Sequence, residues 1–195
     1  MGQYYTPTLI NKDGVETFYS HQYHNGLKLM EHSYIGNFFV QAVVTRLLNN
    51  PSILFWMGDY AELEDISKEA AKTALFDYNV SIGKQFMSDV QNNKFDKEVI
   101  PERDFSHPNY IINHTTREYL CLDDYTNGHG FAPEEDDWVV HPLPLLTAVG
   151  NGRGGGDYWN EHNKDKVGSW AGNLIETSYD KPEGYSEVFI DFREG

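Results

Sequence analysis

The sequence predicts an α+β fold of mostly antiparallel sheet with two or three helices, internally duplicated about a pseudo-twofold axis. Two hairpin-like segments, one helically spaced apolar segment and an ordered series of matching segments in the two halves predict this class. With 195 residues, 39% of them hydrophobic, the chain can bury a sizeable core. We therefore expect one globular domain over residues 1–195, with half-repeats at about 3–62 and 109–176 and a helical connector at about 63–108.

The strand predictions follow from β-branched and aromatic runs that end at turn residues. Residues 4–20 read as a hairpin around Asp13-Gly14, and residues 110–122 as a second hairpin that turns at 114–116. Apolar residues 53–57 indicate a buried strand between them in the sequence. Further strands are expected at 167–170, 174–179 and 186–192.

Helical spacing of apolar residues predicts a helix after Gly36-Asn37 that ends at Asn49-Asn50-Pro51, with Asn37 as its N-cap. A second helix is predicted at about 65–78, and a short third one is possible near 82–91. Residues 26–30 are expected to be extended. Residues 138–149 are apolar, but Pro142 and Pro144 exclude a central strand, so we expect part of this stretch to be an edge or extended segment.

Three pairs of segments match in the same order along the two halves, which predicts the duplication. After Gly36-Asn37 the first half continues into a helix, whereas the second half continues from Gly150-Asn151 into a glycine-rich stretch. Residues 150–157 are called the glycine-rich loop. The second half is therefore expected to be the specialised one, with Trp56 and Trp170 as equivalent core anchors. The matched pairs are Leu9–Glu16 with Ile111–Glu118, Leu27–Met30 and Gly36-Asn37 with Leu143–Leu146 and Gly150-Asn151, and Phe55–Asp59 with Ser169–Asn173.

The glycine-rich loop is the candidate binding site. Glycines let backbone N–H groups approach an anion closely, and an arginine adds a forked donor for phosphate or carboxylate. His141 precedes the loop and could serve as a base or a donor, although a structural histidine or a plain surface loop are the alternative interpretations. The predicted ligand-binding residues are His141, Gly150, Asn151, Gly152, Arg153, Gly154, Gly155, Gly156 and Asp157.

A net charge of −15 opposes direct binding to nucleic acid or to anionic membranes. Three functions remain open. The first is the binding of a small anionic or nucleotide-like ligand at the loop. The second is an acidic inhibitor that binds a basic protein through residues 123–137 and 180–194. The third is a hydrolase-like enzyme with His141 as base and Asp157 orienting it, so the sequence leaves enzymatic activity undecided.

Other features indicate a cytoplasmic location without a membrane span. No apolar run is long enough to cross a bilayer, the start lacks a signal-peptide pattern, and the single Cys121 excludes a disulfide framework. Met1–Thr6 fits a loose myristoylation pattern, which remains an alternative. His21, His24 and His32 could suggest a metal, but their spacing defines no ligand set. No metal is therefore expected, and no cofactor is indicated.

Several segments resemble a group of uncharacterised bacterial and phage proteins. The resemblance covers most of the chain and is most specific in the second half. It implies a phage or mobile-element setting, where small acidic proteins often inhibit host factors, and it brings no established activity. The segments that carry it are Met1–Tyr5, Gly26–Glu31, Trp56–Ala61, His141–Thr147, Gly150–Tyr158 and Gly168–Gly172.

Overall fold

A computed structural model describes residues 1–19, 27–92, 94–95, 107–126 and 139–192. In this part of the chain the fold is α+β, with eight strands in one mostly antiparallel sheet and six α-helices. The strands are β1 (Tyr5–Asn11), β2 (Gly14–Thr17), β3 (Ser52–Gly58), β4 (Tyr110–Asn113), β5 (Glu118–Cys121), β6 (Ala148–Val149), β7 (Leu174–Ser178) and β8 (Ser186–Glu187). The helices are α1 (Leu29–His32), α2 (Phe38–Arg46), α3 (Lys68–Tyr78), α4 (Lys84–Gln91), α5 (Asp123–Thr126) and α6 (Pro142–Leu146).

The sheet runs in the order β2-β1-β3-β7-β4-β5-β8, and β6 adds to β3. Strands β3 and β7 are antiparallel neighbours, but they pair only where Ser52 and Ile53 face Ile175 and Leu174. Beyond that point, β6 lies parallel to β3 with Ala148 opposite Trp56. On β7, Leu48 makes a parallel bridge to Thr177. Each of these two strands therefore pairs, next to the short β3–β7 contact, with a segment that follows a helix. Strand β3 pairs with β6, which follows α6, and β7 pairs with Leu48, which follows α2.

The sheet is covered on both faces at β1 and β3. All seven residues of β3 are buried. One face packs with α2 and α6 into the larger core, and the other face of β1 and β3 packs under α3 and α4. Helix α3 approaches closely because Ala70 and Ala74 are its buried residues. The larger core includes Leu9, Leu54, Trp56, Val43, Ile111, Leu120, Leu145 and Ile175.

Most predictions of elements with a strong local signal are confirmed. Both hairpins form, with a two-residue turn after Asn11 and a four-residue turn after Asn113. Asn37 caps α2, accepting hydrogen bonds from the backbone N–H groups of Phe39 and Val40 at 2.9 and 3.2 Å. The strand at 53–57 and the helices near 65–78 and 82–91 are present. The expected two or three helices are too few, because α1, α5 and α6 are single short turns.

The expectation of an edge or extended segment within residues 138–149 holds for Ala148–Val149, which form β6, but not for Pro142–Leu146, which form helix α6. Pro142 and Pro144 lie in the first turn of α6, where a backbone N–H has no intrahelical acceptor and proline costs nothing. His141 is the N-cap of this helix. Leu29 and Met30 also differ from the expected extended segment, because α1 begins at Leu29, whereas Lys28 is extended and Gly26 lies outside the described residues.

Residues 167–170 form turns rather than the expected strand. Gly168 and Trp170 donate backbone hydrogen bonds to the last carbonyls of α6, at Leu145 and Leu146, with N···O distances of 2.8 and 2.7 Å. Trp170 thus closes a helix end, whereas Trp56 lies inside β3, and the two tryptophans are not equivalent. The expected strand at 186–192 is limited to Ser186–Glu187. The duplication itself stays a prediction.

Candidate functional site

The glycine-rich loop lies against the amino-terminal strand. Gln3 donates its backbone N–H to Gly155, and Gly155 donates its own to Met1, each at 3.0 Å. The Gln3 side-chain amide donates to the carbonyl of Gly150 at 3.0 Å. Met30 of α1 donates to the carbonyl of Gly156 at 3.0 Å. The loop therefore joins the start of the chain, helix α1 and the end of β6.

An anion-holding nest is present in the loop, and the anion is the loop's own Asp157. Oδ2 of Asp157 accepts the backbone N–H groups of Gly152 and Gly154 at 2.7 and 3.0 Å. Oδ1 accepts the Tyr5 hydroxyl at 2.9 Å. Asp157 is 4% exposed, so these three donors replace water around a buried carboxylate. Burial, followed by the neighbouring Asp157 charge, raises the pKa of Tyr5 and keeps its hydroxyl a donor.

Close packing explains two of the glycines without any ligand. A Cβ on Gly154 would lie 2.5 Å from Gln3 Cβ and 2.9 Å from Gln3 N. A Cβ on Gly156 would overlap the Lys28 side chain. By contrast, the nearest atom to a Cβ on Gly155 would be Met1 O at 3.6 Å, an ordinary contact. The glycine pattern therefore lets the first residues of the chain lie directly on the loop.

Arg153 and Asn151 also have partners within the protein. The Arg153 guanidinium contacts Asp65 Oδ1 at 2.9 Å and Glu62 Oε2 at 3.3 Å. The hydrogen bond to Asp65 is the main cause of the raised pKa of Arg153. Asn151 closes the loop, since its side chain bonds both the backbone N–H and the carbonyl of Tyr158. An incoming anion would compete with Asp157, Glu62 and Asp65 for these donors.

His141 is fully buried and has a structural hydrogen bond. Its Nδ1 accepts the backbone N–H of Leu143 at 3.3 Å, and its Nε2 has no hydrogen-bond partner in the described structure. Burial lowers the pKa of His141 to about 3, so the imidazole is neutral at physiological pH. Since Nδ1 is bonded to Leu143 and Nε2 has no partner, no hydrogen bond joins His141 to Asp157. The His141–Asp157 pair of the hydrolase hypothesis is not assembled.

A second polar cluster lies at the other end of the sheet, at the turn of the β4–β5 hairpin. His114 Nε2 lies 2.7 Å from Glu176 Oε2, and His114 Nδ1 lies 2.8 Å from the Tyr185 hydroxyl. The Arg117 guanidinium lies 4.9 Å from the centre of the Tyr185 ring and donates to the carbonyl of Gly184. The side chains of His114 and Glu176 are 26% and 19% exposed, so the cluster is shielded but reachable from solvent.

Sequence reasoning missed this cluster because its members are far apart in the chain. Glu176 is 62 residues from His114, and Tyr185 is 71 residues from it. The one local signal was the second hairpin turn, which carries an imidazole and a guanidinium. The first hairpin turn, Lys12-Asp13, has neither.

The segment that supplies Tyr185 is held along the edge strand β5. Strand β8 pairs with β5 in parallel, with Glu187 opposite Tyr119. The Tyr119 hydroxyl donates to Glu187, and Lys181 contacts the same carboxylate at 3.1 Å. Burial raises the pKa of Tyr119, and its hydrogen bond to Glu187 does so further. These contacts hold the backbone of residues 186–188 on β5.

Two further findings concern the described residues. No group of three or more histidine, cysteine or acidic side chains there is arranged to hold a metal ion, and His21 and His24 lie outside the described ranges. None of the helices described is long and apolar enough to cross a membrane.

Comparison of the chain with protein families, with curated proteins and with solved structures finds no match. The resemblance noted in the sequence therefore stays a prediction, and the functional argument rests on geometry and charge.

Proposed function

We propose that the protein binds a basic protein partner through an acidic surface on residues 179–189, here called the C-terminal acidic surface. The observation that carries this proposal is the combination of order and exposure in this segment. Residues 186–188 are hydrogen-bonded to β5, while Tyr179 and Phe189 are 51% and 46% exposed. Asp180 and Glu183 are exposed beside them. A fixed surface of aromatic rings and carboxylates is suited to arginine and lysine side chains.

The net charge of the protein also favours a basic partner. A protein of net charge −15 attracts cationic partners over a Debye length and repels nucleic acid and phosphate-rich ligands. At the glycine-rich loop, the donors that would hold an anion are already engaged by Asp157, Glu62 and Asp65. Binding of an anionic ligand at residues 150–157 remains a prediction, but a basic partner fits the exposed groups better. The proposal also agrees with the host-factor inhibition that the sequence resemblance implies.

Fluorescence anisotropy with a labelled nona-arginine peptide tests the proposal on the whole chain. We expect binding at about 20 mM salt that weakens strongly near 150 mM, because ion pairs at an exposed surface are screened. The double variant Asp180→Asn, Glu183→Gln should bind about fivefold more weakly, since two exposed ion pairs contribute about 1 kcal/mol together.

A matched control separates this surface from general charge attraction. The double variant Glu64→Gln, Asp77→Asn removes the same charge from exposed positions beside and on α3. We expect it to bind the peptide almost as tightly as the native chain. Equal weakening in the two double variants would contradict a specific C-terminal acidic surface and leave only a diffuse acidic field.

We also propose that the two halves of the chain arose by duplication. The elements that correspond in the fold differ from the segments that match in the sequence. Three features support it. Units β2-β1-β3 and β5-β4-β7 have mirrored places in the sheet order. The segments after α2 and α6 make reciprocal parallel pairings on β7 and β3. In each hairpin a buried asparagine, Asn11 or Asn113, accepts backbone N–H groups of the turn.

In this arrangement α2 corresponds to α6, and Asn37 corresponds to His141, since each is the N-cap of its helix. Superposition of an experimentally determined structure on itself tests the proposal. A twofold rotation through the β3–β7 contact should carry the first hairpin onto the second and α2 onto α6. A best superposition about any other axis would overturn the duplication. So would a superposition in which the matched strands run in opposite directions.

A further inference from the structure

We propose that Tyr185 is an activated nucleophile, with His114 as its general base and Glu176 as the positioning residue, and that the site accepts an acyl group from an activated ester. The site is separate from the glycine-rich loop. Tyr185 lies within the C-terminal acidic surface, but the proposal does not require a partner to be bound there. Its members come from three places in the fold, namely the β4–β5 turn, strand β7 and the loop before β8.

The hydrogen-bond order defines the roles. A carboxylate only accepts hydrogen bonds, so His114 Nε2, at 2.7 Å from Glu176, carries the proton of the neutral imidazole. His114 Nδ1 then has a lone pair and accepts the Tyr185 hydroxyl at 2.8 Å. Carboxylate, imidazole and hydroxyl in this order form the arrangement that activates an oxygen nucleophile. The position of the imidazole proton is thus assigned from the two hydrogen-bond partners of His114.

Arg117 supplies the electrostatic part of the site. Its guanidinium lies over the Tyr185 ring at 4.9 Å and favours the negative charge that develops on the phenol oxygen. Arg117 has a φ of 58°, a left-handed backbone conformation that a long side chain rarely adopts. The guanidinium donates a hydrogen bond to the carbonyl of Gly184 at 3.0 Å, which holds the cation over the ring.

The substrate class follows from the surrounding charges. Glu176 lies within the site, and Glu183 lies two residues before Tyr185, so a phosphate group would meet repulsion that one arginine does not offset. A neutral carbonyl carbon meets no such penalty. In the step, Tyr185 Oη forms a bond to the carbonyl carbon, and His114 Nδ1 takes the hydroxyl proton. The ester C–O bond breaks, and the alcohol or phenol part leaves with the bonding electron pair.

Acetylation with p-nitrophenyl acetate tests the proposal, with the acetyl group located by peptide mass spectrometry. The control is in the same segment, because Tyr179 is 51% exposed and no described contact links it to an imidazole. We expect Tyr185 to be acetylated about a hundredfold faster than Tyr179, the acceleration that a positioned base typically provides. Exposure alone would favour Tyr179. An equal or lower rate at Tyr185 would overturn the proposal.

Variants separate the base from the positioning residue. His114→Gln should reduce acetylation of Tyr185 to the rate of Tyr179. Glu176→Gln should reduce it less, and restoration of the carboxylate with Glu176→Asp should recover part of the rate. If any variant fails to fold, as judged by circular dichroism, the comparison of Tyr185 with Tyr179 in the native chain still decides. A His114→Gln variant that folds and labels Tyr185 at the native rate would contradict the role of His114.

Discussion

The residue Asp157 is the anion that its own loop holds. Replacing it with alanine leaves the N–H groups of Gly152 and Gly154 and the hydroxyl of Tyr5 without their acceptor. We expect Asp157→Ala to lose about 3 kcal/mol of the free energy of unfolding, because the removed acceptor was charged and buried. Urea denaturation measures this change. Tyr5→Phe, which removes one of the three donors, should cost about 1 kcal/mol and serves as the graded control.

The same variant distinguishes a self-filled nest from a ligand site. We expect acetate or phosphate to raise the melting temperature of Asp157→Ala, because either anion can enter the vacated nest. At constant ionic strength the native protein should not respond to either anion. If both anions stabilise the native chain instead and Arg153→Ala abolishes the effect, the loop is an anion site as the sequence predicts.

Neighbouring glycines in the loop should differ sharply in their tolerance of alanine. Gly154→Ala forces a methyl group against the backbone of Gln3, and we expect a loss of about 2 kcal/mol by overpacking. Gly155→Ala meets only ordinary contacts and should change stability by less than about 0.5 kcal/mol. Thermal and urea unfolding of the two variants, one residue apart, provide the measurement. Equal losses would mean that the loop requires backbone freedom rather than space.

At the scale of elements, helix α6 shows how far local patterns predict this fold. The first hairpin and α2 were predictable because Asp13-Gly14 and the Asn37 cap specify local geometry. Pro142 and Pro144 carried a signal that fits two structures, since proline suits both an extended segment and a first helical turn. The tertiary contacts that decide between them come from Gly168 and Trp170, more than twenty residues later in the chain. The His114–Glu176–Tyr185 cluster is non-local in the same way.

The N-cap of α6 also makes stability depend on pH. Burial lowers the pKa of His141 to about 3, whereas in the unfolded chain a histidine titrates near 6.5. Between these two values the unfolded state takes up a proton that the folded state refuses. The stabilisation is therefore fully present above about pH 6.5 and is lost progressively as the pH falls toward 3. At pH 5 the loss from this one group is about 2 kcal/mol.

His141→Asn isolates that effect, because asparagine keeps an N-cap acceptor but does not titrate. Its stability at pH 7 is expected to be lower, since the smaller side chain leaves a cavity. Its stability should nevertheless fall less between pH 7 and pH 5 than that of the native chain, as measured by urea denaturation at each pH. An equal fall in the stability of the two proteins between pH 7 and pH 5 would mean that His141 takes up a proton in the folded chain as readily as in the unfolded chain, which would contradict the lowered pKa.

For the whole molecule, net charge and ion pairing act in opposite directions when salt is added. A charge of −15 repels itself in the compact state, and salt screens that repulsion. The ion pairs Lys28–Glu31, Glu69–Lys72 and Glu161–Lys164 join side chains three residues apart at the surface, where water screens their attraction, so each contributes little. Their loss is therefore smaller than the gain from screening.

We accordingly expect the melting temperature to rise as NaCl increases from about 10 to 150 mM, because the Debye length falls from about 30 to 8 Å. A net gain of about 1 kcal/mol corresponds to a rise of about 2–4 °C for a chain of this length. KCl at the same ionic strength should give the same rise, since screening depends on ionic strength rather than on the ion. A fall in melting temperature with salt would show that ion pairs outweigh the repulsion among the carboxylates.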